Sequence, residues 1–377
     1  MAFVPQGETA FVDVKLVEGL SLYASLWPGT VRCLMRTCRR EEIFFGRDYA
    51  LADLPFTVVP IEADARSSAK HLSDVALVLA SGDNFRDLQI GDVTDAAVVF
   101  VIEYALETRL QILRLDARGG VPKPKALLWQ LLTERARRRA FRRAAGLQAN
   151  GAPAYDAYGA LTPASLLYFD TRLRSAQQAS GDDVAAKLLR AASGAPLRLA
   201  FSGRLEPMKG ADHLLLVARA LYQRRVPFTL SIYGDGSLRD PIARAIEAEG
   251  MSSRVFLRGS VPFDDVLVPT MKSEVDVFLC CHRQSDPSCT YLETIGCGVP
   301  IVGYNNRAFA GVLRLGNVGA GVPIDDVDGC ADAIAELHHD RRRLARMIER
   351  AAAIGRKHSF EREFAERVDH LRAVAGV

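Results

Sequence analysis

At 377 residues the chain exceeds what one hydrophobic core organises, so two domains of ordinary size are expected. With 49% hydrophobic and 25% charged residues it reads as globular, neither collagenous nor low-complexity. A net charge of +3 gives no bulk electrostatic case for nucleic acid, and no window approaches the roughly 18 apolar residues of a membrane span. The seven cysteines are odd in number and match no zinc spacing, so reduced, buried thiols are expected and no metal site is read from them. Met1 to Gln6 has neither a basic start nor a long apolar stretch. No signal peptide is read there, and a cytoplasmic location follows, with any membrane contact peripheral.

The first half shows a faint strand–helix rhythm. Candidate strands are Phe3–Pro5, Val31–Arg36, Phe56–Pro60, Val75–Ala80, Val98–Ile102 and Gly146–Ala149, with an amphipathic helix over Val12–Leu26. Two strand ends carry polar residues, Asp83 and Asn84 after the fourth strand and Glu103 after the fifth. Helix capping and loop hydrogen bonds account for these as readily as a site does. Lys123–Arg143 brings eight cations together with Trp129, Leu131 and Leu132. Such a basic amphipathic segment either lies on an anionic bilayer or forms a solvated helix face.

The polar stretch 175–194 reads as the approach to a linker, with a boundary near Ala195. The domains are then 1–194 and 195–359, and a last helix over 360–377 follows the break at His358-Ser359 and crosses back onto the first.

The second half is plainer. Short apolar runs at Leu197–Gly203, Phe228–Gly234, Val255–Gly259, Val275–Cys281, Val299–Tyr304 and Val322–Asp325 alternate with helical periodicity, as in Leu214, Val217, Ala218 and Leu221. Strands alternating with helices predict βαβ units and a parallel sheet, hence an α/β, doubly wound, Rossmann-like domain. Ligands of such sheets sit at the carboxyl ends of the strands. Two loops there carry chemistry. After the first strand, Gly203 and Gly210 flank Arg204 and Lys209, two cations suited to a diphosphate or, equally, to a solvated loop. After the fourth strand come His282, Ser285, Asp286, Ser288, Cys289, Thr290, Tyr291 and Glu293. Ser288 is a good N-cap for a helix starting at Cys289 whose backbone N–H groups could meet an anion. His282 is the one histidine at a functional strand end. Glu293 is either a sugar-hydroxyl acceptor or a cap of its own helix.

Taken in order, Phe201 to Gly210, the Tyr233-Gly234-Asp235-Gly236 turn, the Phe256-Leu257-Arg258-Gly259 strand, and Tyr291-Leu292-Glu293 leading to Gly298-Val299-Pro300-Ile301-Val302 make residues 197–325 resemble the donor domain of family 4 retaining glycosyltransferases of two-domain GT-B architecture. The N-terminal half matches loosely, through Val101-Ile102-Glu103-Tyr104 and Leu167-Tyr168-Phe169-Asp170. The resemblance implies two Rossmann-like domains facing a cleft, acceptor side first and nucleotide-sugar side second. It implies that Arg204 and Lys209 hold the donor diphosphate, with no metal or other cofactor. It also implies that Glu293 holds the ribose, that main chain at Arg258-Gly259 meets the base of UDP or GDP, and that backbone around Ser288–Tyr291 meets the distal phosphate. Acceptors are expected to be sugars or lipid-linked sugars of bacterial exopolysaccharide, lipopolysaccharide or glycolipid assembly, at the inner face of the cytoplasmic membrane.

Two departures stand out. The family has two glutamates eight positions apart, and Ser285 stands where the first would be, with Asp286 one position off. Asp286 is expected to take over the contact to the transferred sugar. Glu103 replaces a histidine that many relatives carry near the reaction centre; with Asp83, Asn84 and His282 it completes the cleft candidates. A nucleotide-sugar epimerase on the same fold, or a catalytically degenerate binding or scaffold subunit, would share most of these features.

Overall fold

The computed structural model describes residues 1–43, 45–61, 68–116 and 122–377. The N-terminal strands divide between two sheets. The first is mixed: β1 (Ala2–Gln6), β2 (Thr9–Asp13), β3 (Arg32–Thr37), β4 (Gly46–Ala50) and β5 (Thr57–Ile61) run in the order β4-β2-β1-β3-β5. The second is parallel throughout: β6 (Leu77–Ser81), β7 (Ala97–Ile102), β8 (Gly146–Asn150) and β9 (Ser165–Tyr168) lie in chain order. β2, β4 and β9 were not expected from sequence. The expected helix begins at Val12, yet Val12 belongs to β2 and the helix spans Val14–Leu26, where the Asp13 carboxylate accepts from the Leu16 N–H at 3.1 Å. The hairpin is settled by pairing across the sheet, which local propensity does not report.

The C-terminal sheet has six parallel strands: β10 (Leu197–Ser202), β11 (Phe228–Tyr233), β12 (Val255–Gly259), β13 (Val277–Cys280), β14 (Ile301–Tyr304) and β15 (Gly319–Val322). Their order is β12-β11-β10-β13-β14-β15, so winding reverses between β10 and β13. The two halves are thus α/β, as read from the alternation, on parallel sheets apart from the mixed N-terminal one, in which β2 pairs antiparallel with β1 and β4. The expected last strand, Val322–Asp325, is displaced: β15 ends at Val322, and Asp325 turns with φ +65°. Gly319 and Gly321 give no apolar signal, but a Cβ at Gly319 would lie 2.1 Å from the Ile301 carbonyl of β14, so close pairing demands glycine.

The 175–194 stretch contains a helix, Gly181–Ala192, opened by a capping box in which Ser180 and Asp183 exchange hydrogen bonds. It packs on second-domain elements: the buried Lys187 donates to the carbonyls of Met271 and Val275, and Arg190 pairs with Asp276 at 2.8 Å. The last helix, Phe360–Ala375, returns to the first domain. Gln148 and Arg367 exchange two hydrogen bonds there, and Glu363 accepts from the Phe169 N–H at 2.8 Å.

Candidate active site

In an open parallel sheet, the crevice at the reversal point is free of crossing connections and admits a ligand. Here it lies between the loops that follow β10 and β13, and glycine lets those loops meet. Gly210 has φ +64°, and a Cβ on it would fall 1.9 Å from the Cys281 carbonyl. A Cβ on Gly234 (φ +123°) would fall 2.0 Å from the Gly203 carbonyl. Arg283 stitches the same loops, its guanidinium donating to the Pro207 carbonyl at 2.6 Å and pairing with Asp212 and Asp325.

At the centre Lys209 Nζ stands 2.6 Å from Asp286 Oδ2, and both side chains are largely buried. Asp286 Oδ1 has no hydrogen-bond partner among the described residues. Arg204, the other expected cation, is exposed and rests its guanidinium 3.7 Å from the Met208 sulfur. Tyr104, beyond the end of β7, has its phenol pushed up to about 12 by burial and then by the Glu103 and Asp286 carboxylates. That places this first-domain residue in the same electrostatic neighbourhood.

His282 does not line the cleft. It is 1% exposed, packed edge-on to Phe201 and Tyr291, with both ring nitrogens lacking partners among the described residues. Burial, and then the Lys209 ammonium, drive its pKa well below the usual value, so it is neutral. The helix after it spans Thr290–Gly296, with Cys289 rather than Ser288 at the cap position and no side-chain capping bond. The Ser288 carbonyl instead accepts from the Tyr291 N–H at 3.3 Å, because Asp286 holds the Ser288 N–H in a turn.

Glu293 is inside the crevice and is already engaged. Arg172, on the crossover between domains, pairs with it at 2.8 Å. At β12 the Arg258 side chain folds back over the Phe256 ring. Gly259 has φ +72° with open space where a Cβ would be, leaving bare main chain facing outward.

On the first-domain side, Glu103 accepts from Asn150 at 2.7 Å and from the Tyr168 hydroxyl at 3.3 Å. Burial and then Asp170 raise its pKa. Asp83 is spoken for: its carboxylate accepts from the N–H groups of Glu103 and Tyr104 and pairs with Arg109. It shapes the loop after β7 rather than presenting a base. Asn84 is exposed and accepts from the Arg86 N–H in a local turn.

The structure also brings in residues that sequence reasoning passed over. Lys15 lies 2.5 Å from Asp170 and 3.5 Å from the Cys289 sulfur, joining the first helix to the donor-side loop. Thr108, Gln111 and Arg172 likewise reach across. Asp170, already among the loosely matching residues of the first half, lies two residues past the end of β9; for the others, no spacing or motif marks them, since only the docking of the domains gives them a neighbour.

The 123–143 segment is a helix, Pro124–Arg143, and its cations do not all face out. Arg137 is buried on the Gly82 carbonyl at 2.8 Å, and Arg138 pairs with the buried Glu134. Leu128, Trp129, Leu131 and Leu132 are about half exposed, flanked by exposed Lys123, Lys125, Arg135, Arg139, Arg142 and Arg143. No helix among the described residues is long and apolar enough to cross a membrane.

Comparison with known proteins bears on the fold and on the second domain. Residues 190–353 match the family model described as glycosyl transferases group 1. Over 152 residues the chain is 31% identical to a GDP-mannose-dependent alpha-(1-6)-phosphatidylinositol monomannoside mannosyltransferase of Mycolicibacterium smegmatis, covering 38% of this chain and 39% of that protein. It is 27% identical over 154 residues to an alpha-D-kanosaminyltransferase of Streptomyces kanamyceticus, again spanning 39% of the relative. The matched stretch is therefore well under half of either relative. Among solved structures, Anabaena Alr3699/HepE in complex with UDP superposes with a TM-score of 0.63 at 15% identity over 94% of this chain and 95% of that one, a likeness of fold. The chain thus has the two-domain GT-B fold, and its residues 190–353 carry the group 1 glycosyltransferase model.

Proposed function

We propose that this chain is a retaining glycosyltransferase of the family 4 type, moving a hexosyl group from a nucleoside diphosphate to an acceptor hydroxyl without a metal ion. The observation that carries the reading is the clasp of Lys209 on Asp286 at the reversal point of the sheet, beside the exposed Arg204. In the transfer, the bond between the sugar C1 and the diphosphate oxygen breaks. The acceptor oxygen forms the new bond on the same face, and its proton passes to the departing phosphate. Charge builds on that phosphate, and fixed cations aimed at it lower the barrier. Arg204 and Lys209 fill this role, Asp286 Oδ1 accepts from a hydroxyl of the sugar, and Glu293 accepts from the ribose. Gly259 lets the base lie against main chain, and Glu103 borders the acceptor. UDP and GDP are the proposed nucleotides; the GDP-mannose dependence of one relative and the UDP bound in HepE support that choice.

The acceptor is a sugar or lipid-linked sugar of a bacterial polysaccharide or glycolipid, met at the inner face of the cytoplasmic membrane. The half-exposed apolar row Leu128, Trp129, Leu131 and Leu132, ringed by cations, supports docking on an anionic bilayer.

Calorimetric titration with UDP, GDP and ADP, alongside Arg204→Ala and Glu293→Ala, tests the reading. One nucleotide should bind to wild type, and both variants should lose most of that affinity. Absence of binding in the submillimolar range to all three would overturn the proposal.

A further inference from the structure

Ser285 occupies the position of the expected first glutamate, and its polar groups are engaged by other parts of the protein. It is 1% exposed and held by the other domain. Its N–H donates to Gln111 Oε1 at 2.9 Å, and its carbonyl accepts from the Thr108 hydroxyl at 3.2 Å. Its hydroxyl oxygen accepts from the Arg307 N–H at 3.2 Å and lies 3.5 Å from Gln111 Nε2. Thr108 and Gln111 sit three residues apart on the Leu106–Asp116 helix, hence on one face. Both sides of residue 285's main chain are thereby fixed from the first domain. The next residue, Asp286, holds Lys209 with one oxygen, and its other oxygen is buried without a hydrogen-bond partner among the described residues.

We infer that Thr108 and Gln111 are positioning residues, and that docking of their helix on residue 285 sets the direction in which Asp286 meets the transferred sugar. The inference rests on the glycosyltransferase reading. Aspartate is one methylene shorter than glutamate, so it has less reach with which to correct a displaced backbone. A misplacement of about 1 Å at a reacting centre can cost on the order of 10²-fold in rate. The carbonyl that Thr108 holds belongs to the peptide plane leading into Asp286, so rotation of that plane re-aims the carboxylate. When the domains part, residue 285 loses both bonds. The sugar-reading carboxylate is then assembled only on closure, which withholds turnover until the acceptor side is docked.

The experiment is a double-mutant cycle on the full chain, with Gln111→Ala, Asp286→Ala and the pair. The readouts are calorimetric binding of UDP and GDP, and release of nucleoside diphosphate from UDP-glucose, UDP-N-acetylglucosamine and GDP-mannose. Gln111→Ala should bind the free nucleotide within about twofold of wild type and lose at least about tenfold in kcat for release. The pair should be no slower than Asp286→Ala alone. Gln111→Glu, which keeps the acceptor for the residue 285 N–H, should recover most of the rate. Additive losses, parallel loss of nucleotide affinity, unchanged kcat in Gln111→Ala, or wild type that binds nucleotide yet releases it from none of the three donors would each overturn the inference while leaving the nucleotide site standing. A wild type that binds neither UDP nor GDP brings down the glycosyltransferase reading itself, and this inference with it.

Discussion

Arg172 closes on Glu293 with Nε to Oε1 at 2.8 Å and Nη2 to Oε2 at 3.3 Å, while its guanidinium carbon lies 4.1 Å from the centroid of the Phe263 ring. The carboxylate assigned to the ribose is therefore occupied by a cation that comes from the crossover between domains. A ribose diol must compete for the same oxygens. Arg172 is nearly half exposed, so the pair is worth no more than about 1 kcal/mol. Arg172→Ala is expected to bind UDP or GDP about two- to fivefold tighter at low salt, with the gap narrowing at about 1 M salt, where screening weakens the competing pair. Weaker binding in that variant would mean the guanidinium serves the nucleotide and does not block it.

The Lys209–Asp286 pair calls for a different test, because both partners are buried. Removing one partner strands a charge out of water, at a cost of about 3–5 kcal/mol. Lys209→Ala should lower the thermal midpoint markedly and abolish donor turnover. The double variant Lys209→Met/Asp286→Leu should regain most of the midpoint by replacing two charges with apolar groups, yet stay inactive. Calorimetry beside a donor-release assay separates the two effects. A double variant that turns over donor would remove these residues from the chemistry.

Glu103 gives a pH dependence whose sign follows from its environment. Burial and then the Asp170 carboxylate raise its pKa, partly offset by the Asn150 hydrogen bond. The folded state therefore holds the proton to a higher pH than the unfolded chain does. Its contribution to stability is present below the unfolded value of about 4.3 and declines as pH rises through the raised folded value. Glu103→Gln keeps an acceptor for Asn150 and offers an N–H to the Tyr168 oxygen. It should melt higher than wild type at pH 8, and the difference should vanish toward pH ~4. Equal midpoints at pH 8 would show that the buried carboxylate is not penalised.

The surface of the Pro124–Arg143 helix predicts vesicle binding. Vesicles containing phosphatidylglycerol should co-sediment the protein and neutral ones should not, with binding falling as salt rises. Trp129→Ser with Leu132→Ser, and separately Arg139→Glu with Arg142→Glu, should each weaken it several-fold. Retention of binding in both pairs would leave the apolar row without a bilayer as its occupant.

The sequence by itself carried the C-terminal sheet almost entire. Apart from β15, its strands are largely apolar runs, because a parallel sheet is buried on both faces, and β10, β11 and β12 each end at or just before a glycine. The placing of Arg204, Lys209, Asp286 and Gly259 at strand ends followed from those runs and from the rule that ligands meet such ends. The tertiary structure decided what proximity alone decides. It joined Lys209 to Asp286 across 77 positions, put Arg172 on Glu293, sank His282 beneath the loop, and turned Ser285 from a missing glutamate into a clasp for another domain. It also split the basic segment into a buried network and an exposed face. Periodicity reports which face of an element is buried; it does not report which element covers that face, or which charge waits there.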